Sequence, residues 1–207
     1  MPRKAQKPKI RKLNGLQFSD PGEVESCAAA LKAALGMPHL RLEPTLLSRG
    51  EIAYFLKDPS AVGTPEGSIV PLHAVESRSF WLGAQVKVES QLDETHFRSL
   101  SLRVLQGLRT GPKEALLRAE WERVQAPERR DAQPHWHVYM SNLDRLSSEP
   151  SQTRNVMKKF HFAMAAQWHL GELGAHYEEP EPEKLGYWLA GWVRYTRMQL
   201  ELVASRS

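Results

Sequence analysis

Cysteine is nearly absent from this chain: Cys27 is the only one, so no intrachain disulfide framework holds the fold together. Long apolar runs are absent too. No uncharged stretch approaches the roughly 20 residues that a membrane-crossing helix needs, which excludes a helical span. Internal repeats and low-complexity blocks are also missing, which argues against solenoids and against wholesale disorder. The excess of positive charge is confined to one place. The net +4 over 207 residues comes with Arg3, Lys4, Lys7, Lys9, Arg11 and Lys12 packed into the first thirteen positions. Without those six, 22 basic residues face 24 acidic ones, so the remainder carries about −2 and offers no electrostatic reason to hold nucleic acid.

What is present suffices for a core. The chain is 41% hydrophobic and 25% charged, with six Trp, six Phe and five Tyr, which suits one folded domain. The expected organisation is a basic, flexible arm over 1–15 and a single domain over 16–207. An acidic, proline-bearing connector over 178–184 precedes the last helix. The basic arm lacks the apolar core of a signal peptide. With the single cysteine, this points to a reducing compartment and a cytoplasmic location.

Two periods divide the sequence. Over Asp20 to Gly36 the residues Val24, Cys27, Ala28, Leu31 and Leu35 recur at helical spacing, with Asp20 placed to cap, Pro21 at the first helical position and Gly36 at the end. Cys27 lies on that stripe and reads as a small buried hydrophobe. A period of two then appears in Phe80 to Glu89, Leu100 to Leu105, Leu117 to Glu122 and Gln133 to Met140, with Ile52 to Leu56 as a shorter strand. Pro59, Gly63, Pro65, Gly67 and Pro71 read as a long loop. Helical spacing returns after Pro150, through Met157, Phe160, His161, Met164, Ala165 and Trp168. It comes back in Leu185, Trp188, Leu189, Trp192, Val193, Thr196, Leu200 and Val203. The expectation is α+β: a largely antiparallel sheet of about four to five strands, with an N-terminal helix and two C-terminal helices on one face.

The chemistry concentrates in Gln133-Pro134-His135-Trp136-His137-Val138-Tyr139. Residues two apart share a strand face, so His135 and His137 project together, with Gln133 and Tyr139 beside them. Pro134 suggests an edge strand or a strand start. Three chemistries suit such a pair: a divalent metal such as zinc, a nucleophilic histidine at phosphorus, or general acid–base work. Glu120 and His161 are the candidates to complete a metal shell, and Glu120 and Tyr139 to assist catalysis. Arg118, with Arg154, Lys158 and Lys159 at the expected helix start, would hold a phosphate. An ion pair across strands is the simpler account of Arg118 and Glu120, while His39, His73 and His96 fall in turn-like contexts.

The same run resembles the strand motif of the histidine triad nucleotide hydrolases and transferases. The likeness covers about nine residues, with Tyr139 where that family carries histidine or glutamine. It implies a phosphate-directed histidine strand. The leading expectation is therefore a hydrolase or transferase acting on a phosphate-containing substrate, either a small molecule or a nucleic acid. The rival is a non-catalytic subunit of a larger assembly, touching nucleic acid through the basic arm or a protein through the Trp-rich terminal helix.

Overall fold

The structure is a computed structural model that describes residues 10–13, 16–48, 51–75, 78–91, 94–122, 135–138, 160–163 and 182–204. It is mixed α and β, with a curled antiparallel sheet and two helices among the described residues. A hairpin of β1 (Ile10–Leu13) and β2 (Leu16–Ser19) leads into helix α1 (Gly22–Leu35). The span 1–15 therefore includes a strand, β1. Then come β3 (Arg41–Ser48), β4 (Glu51–Lys57), β5 (Val62–Thr64), β6 (Gly67–Val75), β7 (Arg78–Gln91), β8 (Glu94–Gln106) and β9 (Glu114–Glu122). Strands β10 (His135–Val138) and β11 (Phe160–Ala163) and helix α2 (Pro182–Ala204) complete the order.

The main sheet has nine strands among the described residues, where four to five were expected. Its order runs β11-β10-β9-β8-β7-β4-β3, and β6 pairs with both β7 and β5. The long β7 divides one edge between two partners: Arg78–Gly83 pairs with β6 and Gln85–Glu89 with β4. Its other edge pairs throughout with β8. Register shifts in four of the pairings add local twist and help the sheet curl.

The extra strands come from the span read as a loop. Gly63 and Gly67 belong to the β5–β6 hairpin, and Pro71 sits in β6 at a register shift, where a ladder tolerates a missing N–H. His73 and His96 are strand residues, while His39 is in a turn. The second C-terminal helix is corrected in part. Phe160–Ala163 is a strand paired with β10, because alternating Phe160, His161, Phe162 fits a ladder as well as a helix. Residues 151–159 and 164–181 lie outside the described set, as do most of the expected connector's residues. The last helix opens with Pro182, a position where its missing N–H costs nothing.

Both helices cover the same sheet face. Val24, Cys27 and Leu31 of α1 and Leu185, Trp188, Leu189, Trp192 and Val193 of α2 share one core with Tyr54, Val86, Leu102, Ala119 and Trp121. Trp121 meets Trp188 edge to face, with ring centroids 5.5 Å apart. The helices cross closely at Gly186, where an added Cβ would stand 2.3 Å from Ser26 Oγ. Arg197 of α2 donates to the Ala34 carbonyl, satisfying an otherwise orphaned acceptor at the end of α1.

The start of α1 (Gly22) differs from the local reading at two positions, Asp20 as cap and Pro21 as first helical residue. Asp20 does not cap it: Pro21 is the capping residue, and Asp20 accepts a hydrogen bond from the buried Tyr54 hydroxyl at 2.9 Å. A partner from β4 won over the local backbone. Gly36 ends the helix in the left-handed conformation (φ 68°). Cys27 is fully buried, and burial, reinforced by Glu23, pushes its thiol far above its usual range, so it is an inert core residue.

Candidate metal centre

Alternation leaves much of the opposite sheet face to polar side chains, beside Phe55 and a small buried cluster of Ile69, Trp81 and Leu105. A cleft of about 820 Å³ lies over it, lined by Ser99, Ser101 and Arg103 of β8, Gln85 and Lys87 of β7, and Arg118, Glu120 and Glu122 of β9, among others. The register lines these up in rows. One row runs His135, Glu120, Ser101, Gln85, Phe55 and Glu43 across β10, β9, β8, β7, β4 and β3. The next runs His137, Arg118, Arg103 and Gly83.

The row structure explains why one acid meets both histidines. Glu120 stands directly opposite His135, and His137 is one same-face step further along β10. His137 Nε2 lies 2.8 Å from Glu120 Oε2 and 2.8 Å from His135 Nε2, while His135 Nε2 lies 3.8 Å from the same carboxylate oxygen. All three side chains are withdrawn from solvent: Glu120 is 5% exposed, His135 4% and His137 9%. The other carboxylate oxygen, Oε1, accepts a hydrogen bond from Arg118 Nη2, which fixes the carboxylate so that Oε2 turns to the imidazoles. Arg118 and Glu120 thus pair along one strand rather than across two.

Two kinds of bonding can act at this cluster, hydrogen bonding and metal ligation. At His137 Nε2 the directions to Glu120 Oε2 and His135 Nε2 diverge by about 85°. A ring nitrogen has one in-plane bonding position, either an N–H or a lone pair, so one proton there cannot point at both neighbours. One cation can satisfy all three atoms together. The three atoms lie within 3.8 Å of one another, close enough to share one ion at the roughly 2.0–2.1 Å bonds that zinc makes to imidazole nitrogen. Glu120, His135 and His137 form the group of potential metal ligands found among the described residues.

Glu120, His135 and His137 come together, and Arg118 adjoins them. His161 is the register partner of His137 on β11, not a helix residue. Strand β10 is flanked by β9 and β11, so it is an interior strand that starts just after Pro134. Tyr139, Arg154, Lys158 and Lys159 lie outside the described residues, and with them the expected helix-borne phosphate site. Sequence reasoning missed Arg103. Its alternation with Ser101 and Ser99 marks the polar face of β8, yet nothing local says that this face borders a cleft. No family model, curated protein or solved structure matches the chain.

Proposed function

We propose that the protein is a zinc-dependent hydrolase of phosphate-containing substrates, with Glu120, His135 and His137 as its metal ligands. The observation that carries this reading is the convergence of three buried potential ligand atoms, Glu120 Oε2, His135 Nε2 and His137 Nε2, within 3.8 Å of one another. His161 is the residue proposed to complete the shell, because it faces His137 in register. Two imidazoles and one carboxylate suit zinc and ferrous iron alike. Zinc is favoured because Arg118 lies beside the ligands and Arg103 opposite it, a setting for Lewis-acid chemistry on an anion.

A bound ion would supply Lewis acidity and a water whose pKa falls toward about 7. In the hydrolytic step water adds to phosphorus, the bond to the leaving oxygen breaks, and that oxygen departs with a proton. Arg118 positions Glu120 and does so from the cleft wall. Trp188 and Trp192 of the terminal helix are fully buried in the core.

Reconstitution tests the reading. Chelator-stripped protein dialysed against zinc is expected to retain one equivalent by elemental analysis and to hydrolyse a chromogenic phosphate ester. His137→Ala is expected to lose both while melting close to wild type. A protein that retains no zinc, or a His137→Ala variant that retains it fully, contradicts the assignment. Stoichiometric iron in place of zinc would redirect the chemistry and overturn the hydrolytic part.

A further inference from the structure

Beside the metal ligands the register opposes two like charges. Arg103 and Arg118 are direct partners across β8 and β9, and both line the cleft. Like charges placed opposite one another weaken a sheet unless anions compensate them. Arg118 is compensated by Glu120 and Arg103 by Glu66. The two compensating acids differ. Glu120 has a buried side chain, whereas that of Glu66 is 68% exposed at the tip of the β5–β6 hairpin.

The Arg103–Glu66 contact has the form of ligand recognition. Arg103 Nη1 donates to Glu66 Oε2 at 2.5 Å, and Nη2 donates to the Glu66 backbone oxygen at 2.9 Å. The guanidinium lies close over β7, where Gly83 leaves room: a Cβ there would stand 3.5 Å from Arg103 Nε and Nη2. Arg103 is itself only 19% exposed, so its charge is held in place at the cleft. The guanidinium thus gives one N–H to a carboxylate oxygen and one to a backbone carbonyl, and its planar fork of donors is also suited to a phosphate.

We propose that Arg103 and Arg118 are the receptor for the anionic group of a phosphate-bearing substrate, and that Glu66 is a built-in competitor displaced from Arg103 when that group binds. The choice of phosphate rests on the function proposed above; the competition does not. An exposed carboxylate is a weak partner that exchanges readily. The backbone bond from Nη2 keeps the guanidinium aimed while the side chain leaves. Each guanidinium carries five N–H donors, so Arg118 can serve Glu120 and a substrate oxygen together.

Isothermal titration of the full chain with inorganic phosphate tests this, on zinc-loaded and on zinc-stripped protein. Glu66→Gln, which removes the competing charge at an exposed position, is expected to bind phosphate about three- to tenfold more tightly than wild type. Arg103→Gln is expected to bind about tenfold more weakly or worse, and Arg103→Lys, which keeps the charge without the fork, to fall between that variant and wild type. The same order is expected with and without zinc. Unchanged or weaker binding by Glu66→Gln overturns the proposal, as does wild-type affinity in both Arg103 variants or a wild-type protein that binds no phosphate. Zinc content measured on the same samples judges the metal assignment separately.

Discussion

The two faces of the central strands have opposite tasks. On one face Leu100, Leu102 and Val104 of β8, with Ala84, Val86 and Val88 of β7, are buried beneath two helices. On the other, Ser99, Ser101, Arg103, Gln85 and Lys87 line an open cleft. Because side chains alternate strictly along a strand, a single backbone carries both layers and neither can be shifted without the other. The lesson is a division of labour: apolar burial under the helices supplies the stability, and that stability permits charged residues to stay poised on the other side. Glu120 shows the limit of the division. It is a cleft residue that is nonetheless buried, and burial of a carboxylate is tolerable only with partners such as Arg118 and the imidazoles.

The comparison can be broken from either face. The largest effect is expected on the helix side. Trp188→Ala removes a fully buried ring that packs edge to face on Trp121, and should cost about 3–5 kcal/mol in denaturant unfolding. If the faces are independent, the surviving folded fraction keeps its metal affinity. A proportionate loss of metal binding by that fraction would show that the faces are coupled. A smaller effect is expected on the cleft side. Arg118→Gln leaves the proposed metal ligands in place but removes the charge that orients Glu120, and should weaken metal binding about 10–100-fold with little change in melting temperature. An unchanged metal affinity would mean that Arg118 does not position the carboxylate.

Much of this was readable in the sequence where one physical signal dominated. The alternation of Phe80 to Glu89, Leu100 to Leu105 and Leu117 to Glu122 located β7, β8 and β9, since each presents one apolar and one polar face. The helical stripe of α2 was equally plain, because Leu185, Trp188, Leu189, Trp192 and Val193 pack into the core. Short or proline-bearing strands were not readable. Pro44 disguises β3, an edge strand where a missing donor is harmless, and Pro71 disguises β6. Four residues are too few for periodicity to separate a strand from a helix, so β11 emerged only through its pairing with β10.

The site divides in the same way. His135 and His137 announced themselves by their spacing, and Glu120 by the polar face of its strand, but their convergence depends on the β9–β10 register. Arg103 and Glu66 are 37 residues apart and meet only because the β5–β6 hairpin reaches over the sheet. Long-range pairing of this kind leaves no local trace in composition or spacing.

X-ray absorption at the zinc K-edge of the reconstituted protein addresses the central claim most directly. The account predicts a first shell at roughly 2.0–2.1 Å with the multiple-scattering signature of at least two imidazoles, lowered by one imidazole in His135→Ala. A spectrum of water-like oxygen scatterers without imidazole, or one that His135→Ala leaves unchanged, would contradict it.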